Sequence, residues 1–426
     1  MIFKTYMLGE IASNTSRRFN FDDNKKVCFI NTGDVWKGDF LIKECVQSKG
    51  LPGQAKKAIQ HGDILYSEIR PGNKRYLLVE GNVADYVVST KFMVITCNQD
   101  IVLPEYLYLV LTNKKCEVDF KAIAESRSGT FPQITFDAIA YYPIELPMLA
   151  EQRKIVVVIQ SIIHKLNANK KVNSILEEIA QTIFKSWFID FDPVKAKMEG
   201  KQPEGMDEET AALFPDKLVD SELGLIPEGW KIKSINSFGK VICGKTPSKK
   251  NINFYGGDVP FIKIPDTHGK VFVTKTTETL TQAGDESQLK KRIPANSICV
   301  SCIATVGQVF ITTRLSHTNQ QINSVLPYNH NLLYYLLFNF KRLNQHFHDL
   351  ASGGSATLNM NTRTFSNIEL VYPALDIMEA FHNIIDGLMQ RILINQLESE
   401  TLMDVRDALL PKLLSGEIRL DNISDE

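Results

Sequence analysis

Long apolar runs are missing from this chain. The longest, Ile155–Ile163, is broken by Gln160 and falls well short of the ~18 residues a membrane span needs. Cysteine is sparse and poorly patterned. There are seven, an odd number, with Cys299 and Cys302 the closest pair and His317 the histidine nearest to them. That usage argues against a disulfide framework and against a zinc site. No charge of one sign dominates either, since 48 Lys and Arg offset 49 Asp and Glu for a net charge of −1. The opening Met1-Ile-Phe-Lys-Thr-Tyr has no basic segment followed by an apolar one, so a cytoplasmic location is expected.

What is present is ordinary globular material, 426 residues at 44% apolar and 23% charged. That length suggests two or three domains of roughly 100–200 residues. The near-zero total hides an alternation. Residues 1–147 carry +1, 148–226 carry −3, 227–374 carry +8 and 375–426 carry −7. Such alternation suits a chain in which some parts meet a polyanion and others a protein.

The chain also repeats itself at a shift of about 226–234 residues. Leu8-Gly9-Glu10-Ile11 aligns on Phe238-Gly239-Lys240-Val241, and Phe29–Asp34 aligns on Phe261–Asp266. Gly62–Ser67 aligns on Asn296–Ser301, and Thr135-Phe136 with Ile139 aligns on Thr364-Phe365 with Ile368. Ile159, Ile162, Leu166, Leu176 and Ile183 meet Ile385, Leu388, Ile392, Leu402 and Leu409. Short apolar runs between turn residues predict strands at Val27–Thr32, Asp63–Ile69, Val87–Thr96 and Tyr141–Leu146, then at Val259–Ile264, Ser297–Ile303 and Ile368–Tyr372. One amphipathic helix per copy is expected, near Pro104–Lys115 and His330–Leu350. Glu151–Phe188 then runs without Gly or Pro at helical spacing, about 57 Å at ~1.5 Å per residue, and Ile377–Leu414 is its counterpart.

The expected fold is α+β, with two pseudo-repeated mixed α/β domains separated by two long helices in an antiparallel coiled coil. The boundaries read as domain 1–147, helix 148–190, linker 191–226, domain 227–374, helix 375–418 and tail 419–426. Written in heptads, Asn169 and Asn395 fall at matching seam positions of the two helices. Near a pseudo-twofold axis, equivalent residues can face each other and pin the register.

Candidate chemistry is thin. Gly239–Thr246 spells GxxxxGK[ST], but Pro247-Ser248-Lys249-Lys250 follows where a phosphate cradle needs a helix. No Asn/Asp-Pro-Pro-aromatic tetrapeptide, nuclease core or Ser/His/Asp set is legible. The chain reads as non-catalytic, with no cofactor of its own.

Glu151-Gln152-Arg153-Lys154-Ile155 and the run Leu176–Pro193 resemble the central helical region of type I restriction–modification specificity subunits. Pro227-Glu228-Gly229-Trp230 with Gly244–Ser248 and Gly257–Ile262 is similar to the opening of their second target-recognition domain, and Leu409–Ile418 to their C-terminal helix. Ile377-Met378-Glu379 departs from the Glu-Gln pair many relatives repeat, with Glu379 as a substitute. The resemblance implies double-stranded DNA as ligand, each domain reading half of a split, asymmetric target. It also implies two modification subunits bringing S-adenosylmethionine and adenine N6 methylation, and restriction subunits adding ATP- and Mg-dependent translocation and cleavage. No membrane partner is implied. The rival reading is a helical scaffold without DNA readout.

Loops aligned between copies nominate the DNA contacts. They are Arg17, Arg18, Asn31, Asp34, Arg70, Lys74 and Arg75 in the first copy, and Lys245, Thr246, Ser248, Lys249, Lys250, Lys263, Asp266 and Lys270 in the second. Arg and Asn can read purine edges bidentately, while Lys more often meets phosphate.

Overall fold

The computed structural model describes residues 2–21, 26–41, 44–127, 130–352 and 358–420, so most of the expected tail 419–426 lies outside the described residues. The chain divides into two units, residues 1–166 with 401–426, and residues 167–400.

In the first unit, Lys4–Met7 pairs antiparallel with Pro143–Leu146 and closes the domain's ends together. A four-stranded sheet is built on Ile64–Ser67 and Phe92–Cys97, and a five-stranded sheet on Lys26–Ile30, Ala55–Ala58 and Tyr86–Ser89. Residues 87–96, expected as one strand, are two strands in different sheets. Thr90-Lys91 turns the corner, with Tyr86–Ser89 running parallel to Lys26–Ile30 and Phe92–Cys97 antiparallel to Ile64–Ser67. The helices Pro104–Leu111 and Lys114–Arg127, two where one was expected, cover the sheet around Tyr66, Tyr106 and Phe120.

The second unit uses the same plan. Lys231–Ser234 pairs with Glu369–Tyr372, and Ile298–Ser301 lies beside Ile322–Pro327. Tyr255–Ile262 pairs parallel with His317–Thr318, as its counterpart does with Tyr86–Ser89 in the first unit. Residues 330–350 form a short turn and the helices Leu333–Arg342 and Asn344–Ala351. The region 191–226 holds the helices Asp192–Met198 and Glu208–Leu213 and the hairpin Leu218–Ser221/Gly224–Pro227.

Hydrogen-bond equivalences correct two of the sequence alignments. Leu8 N donates to Tyr142 O as Ile235 N donates to Ile368 O. Leu8 therefore corresponds to Ile235 and Ile11 to Phe238, three residues from the expected match. Ile69 bridges Gln133 as Ile303 bridges Asn359, which moves Thr135 onto Asn361 rather than Thr364. Leu8 and Ile11 meet apolar residues in either register, and Phe136 meets one only in the expected register, so hydrophobicity alone does not find the true one.

The long helices are Leu149–Lys185, continued by a π turn Ser186–Asp190, and Leu375–Leu414, which absorbs Pro411. In the second unit they run antiparallel. Phe184 meets Phe381 at 6.1 Å between ring centroids, while Asn173 meets Ile392 and Asn395. At the start of the first helix Gln152 is fully buried. Its amide donates to Ile101 O and Pro147 O, both at 3.0 Å, and its carbonyl accepts from Leu103 N at 2.9 Å. The residue in the matching place of the second helix is Met378, also fully buried, while Glu379 points to solvent. Glu379 is thus no substitute for Gln152; an apolar plug takes that place.

Cysteine usage also needs a correction. Cys28 and Cys45 form a disulfide. The antiparallel pairs Lys26↔Gln47 and Val27↔Val46 put Cys28 opposite Cys45, a juxtaposition that spacing along the chain does not reveal. Cys299 and Cys302, by contrast, are free and buried at the strand Ile298–Ser301. Their sulfurs meet Ser324 Oγ and Asn323 Nδ2 respectively, and burial pushes both thiols up to about 12.

Candidate nucleic-acid interface

In the first unit the strand Lys26–Ile30 ends in a tight turn, Thr32–Asp34. Asp34 Oδ2 accepts the Asn31 N–H at 2.8 Å and Asn31 Oδ1 accepts the Thr32 N–H at 2.8 Å. The strand Ile64–Ser67 leads into a second turn, Pro71–Asn73, flanked by Arg70 and Lys74 in left-handed backbone at φ 46° and 57°. Arg70 N donates to Pro132 O at 2.9 Å, tying this turn to the segment after the helix Lys114–Arg127. Arg75 Nη1 donates to Gly33 O at 2.9 Å and Val35 O at 2.8 Å, tying it to the first turn. Between them lies a depression of about 320 Å³ lined by Gly33, Ser67, Arg70, Asn73, Arg75 and Phe131, among others.

Arg70 and Arg75 are therefore brought together with the Asn31–Asp34 turn, and the other nominees divide. Arg18 is exposed on the short strand Arg17–Arg18. Arg17 points inward and pairs with the buried Asp63 at 2.6 Å. Lys74 pairs with Glu117 at 2.6 Å, and the Asp34 carboxylate caps its own turn.

In the second unit Lys245, Ser248, Lys249 and Lys250 are exposed on one loop. Tyr255 OH donates to Pro247 O at 2.7 Å and Thr246 Oγ1 to Gln320 Oε1 at 2.7 Å, fixing the loop to its neighbours. The turn Ile264–Asp266 repeats Thr32–Asp34, with Asp266 Oδ2 accepting Lys263 N at 2.9 Å. Asp266 Oδ1 accepts Thr277 N at 2.9 Å, so both oxygens of this buried carboxylate accept from backbone. Lys263 pairs with Glu278. Lys270 faces Glu400 of the long helix at 3.4 Å.

No phosphate cradle forms at Gly239–Thr246. Gly244 N donates to Ile322 O at 3.0 Å and Lys245 N to Thr318 O at 2.9 Å, which consumes the N–H groups a phosphate would need. A Cβ on Gly244 would lie 2.1 Å from Asn319 O, so this glycine serves close strand packing. A buried cluster joins His317 with Asp285 at 2.7 Å and Gln288 at 3.2 Å, all three side chains being buried. Among the described residues no group of three His, Cys, Asp or Glu is placed to hold a metal, and no helix is long and apolar enough to cross a membrane.

Residues the sequence reading passed over stand beside the nominees. Phe131 and Asn73 line the first depression. In the second unit Ala304, at φ 63°, and Gln308 take the places of Arg70 and Arg75. Ala304 N donates to Leu358 O at 3.0 Å, and Ser301 N to Gln308 O at 3.0 Å as Ser67 N does to Arg75 O. A left-handed Arg or Ala carries no sequence signal, because glycine is the residue that ordinarily advertises that conformation.

Known proteins share this duplicated plan. The family described as type I restriction modification DNA specificity domain matches residues 3–178 and again 227–402. The chain is 48% identical to the Haemophilus influenzae type I restriction enzyme HindI specificity subunit, covering 98% of this chain and 99% of that one. It is 28% identical to the Methanocaldococcus jannaschii MjaIX specificity subunit, over 76% and 71% of the two. In fold it is similar to the type I restriction–modification S subunit from M. genitalium, with a TM-score of 0.60 at 12% identity, covering 97% of this chain and 96% of that one. The chain belongs to the DNA specificity family of type I restriction–modification systems, with one specificity domain in each copy of its repeat.

Proposed function

We propose that this specificity subunit addresses partner enzymes to a split, asymmetric DNA sequence, each domain reading one half through the loops described above. Two modification subunits supply S-adenosylmethionine and the adenine N6 methylation, and restriction subunits supply ATP- and Mg-dependent translocation and cleavage. The observation that carries this reading is the pair of register-matched domains whose Thr32–Asp34 and Ile264–Asp266 turns share one geometry and whose exposed side chains differ. Equivalent backbones fix where each half-site is met; different side chains make the halves unlike. In the first domain the contacts are Arg18, Asn31, Arg70 and Arg75, and in the second Lys245, Thr246, Ser248, Lys249 and Lys250. Arg17, Asp34, Lys74, Lys263, Asp266 and Lys270 hold those loops in place through the internal partners given above.

Methylome sequencing of cells carrying the full chain with its modification subunits should reveal a two-part adenine-methylated motif that disappears when this subunit is deleted. Lys249→Ala with Lys250→Ala should weaken duplex binding at every site alike and lower the salt slope by about 2, roughly one per phosphate contact. An unchanged affinity and slope would remove the lysine loop from the interface.

A further inference from the structure

The left-handed residue that follows the bridge Ile69↔Gln133 recurs after Ile303↔Asn359, at φ 46° for Arg70 and 63° for Ala304. Left-handed backbone is costly for any residue with a Cβ, and such strain persists only where the surroundings impose it. Here they impose it twice. Arg70 N and Ala304 N each donate to the strand-like segment opposite, at 2.9 and 3.0 Å. The chain thus keeps one backbone geometry in both domains and changes the side chain on it from a guanidinium to a methyl group.

Arg70 is suited to contact a ligand from that position. Its side chain is exposed, it has no carboxylate partner among the described residues, and its guanidinium lies 5.5 Å from the centroid of the Phe131 ring. It lines the depression that also contains Asn73 and Arg75. Arg75 is less free than Arg70, because its Nη1 is spent on two carbonyls of the neighbouring turn. An aromatic face beside a guanidinium restrains its plane without occupying its N–H donors.

Resting on the DNA-reading function above, we propose that position 70 and its counterpart 304 are the same base-reading station in the two domains, and that Arg70 reads a guanine by paired hydrogen bonds to O6 and N7. Arg to guanine O6/N7 is the commonest specific major-groove contact. Ala304 offers the second domain no such donor. This difference at one backbone position contributes to two domains of one plan reading unlike half-sites.

The test uses the full chain co-expressed with its modification subunits. Arg70→Gly is the informative variant, since glycine adopts φ 46° without strain and the domain should melt no lower than wild type. Its methylation motif should lose one guanine from one half-site, with the other half and the spacing unchanged. A wild-type target duplex carrying 7-deazaguanine at that position should bind roughly tenfold more weakly, whereas Arg70→Gly should not distinguish the two duplexes. Arg70→Lys should also lose the discrimination, because an ammonium cannot make the paired contact. An unchanged motif in Arg70→Gly overturns the proposal. So does a uniform loss at all sites with a shallower salt slope, the mark of a phosphate contact, or full rescue by lysine. If the wild-type complex leaves no two-part motif, the DNA-reading function itself fails, and this assignment fails with it.

Discussion

Truncating Arg17 separates a structural guanidinium from a DNA-contacting one. In the first unit Asp63 is 1% exposed. It accepts from Arg17 Nη1 at 2.6 Å, Arg17 Nη2 at 3.3 Å, Thr96 Oγ1 at 2.8 Å and Gln60 N at 2.7 Å. Arg17 Nη2 also donates to Thr96 Oγ1 at 3.0 Å, and its side chain is 25% exposed. Arg17→Ala removes charged hydrogen bonds worth roughly 1.5–3 kcal/mol and leaves the carboxylate two neutral donors. Asp63→Ala leaves a largely buried cation unpaired, at a cost of about 3–5 kcal/mol. The double variant removes both charges, so a double-mutant cycle should return a coupling of about 2–3 kcal/mol, well above the ~0.2–1 kcal/mol of exposed pairs. Amide exchange on Ile64–Ser67 and Phe92–Cys97 reads the opening of this unit alone. The methylation motif should stay unchanged in every variant that still folds. A coupling under ~0.5 kcal/mol, together with DNA affinity lost in a salt-dependent way, would refute the argument and return Arg17 to the interface. The second domain uses no such pair, since the residue aligned with Asp63 is the fully buried Ser297, whose hydroxyl donates to Pro294 O at 2.9 Å.

Three further outcomes are expected. Gly244→Ala should lower the melting temperature by several degrees, because its Cβ would lie 2.1 Å from Asn319 O, whereas Lys245→Ala should leave it within about a degree; a melting temperature raised by ATP and restored to baseline by Lys245→Ala would revive the phosphate cradle. Asn395→Leu should change stability by less than about 1 kcal/mol, since it removes one amide bond to Asn173 at 2.8 Å along with an unpartnered buried Oδ1, while Asn395→Asp should cost about 3 kcal/mol or more in the same melts; equal stability of wild type and Asn395→Asp would mean that the seam is wet. Burial pushes the His317 imidazole below its ordinary range, despite the neighbouring Asp285 carboxylate. The unfolded chain then binds a proton that the folded chain refuses, so stability should fall as pH drops below ~6.5. The hydrogen bond from Arg292 holds the Asp285 carboxyl below its usual range, adding a second loss below about pH 4. His317→Asn should abolish the first step in a pH series of thermal melts and leave the second.

Order along the chain already carried the repeat, the two long helices and the family resemblance. These rest on signals local in sequence, namely 3.6-residue periodicity, turn residues and short motifs. The same is true of the seam asparagines. A polar residue in matching heptad positions is visible in a string of letters, and Asn169 Nδ2 lies 3.4 Å from Asn395 O. The heptads do not show that Asn169 also reaches Glu398 at 2.8 Å, nor that the Asn395 amide turns to Asn173. Those choices depend on how far the antiparallel helices slide and rotate against each other.

Which basic side chains are paired and which stay exposed was decided in three dimensions. Arg17 and Arg70 are alike as letters. One faces a carboxylate 46 residues away and the other faces solvent over an aromatic ring. Lysines at 74, 249, 263 and 270 were equal candidates until sheet pairing and helix packing gave three of them carboxylate partners. The physical reason is that an ionic side chain takes its role from what desolvates and pairs it, and those groups arrive from distant strands. Periodicity, by contrast, acts between neighbours, so the sequence alone could determine the scaffold, while the role of each charge waited on the tertiary fold.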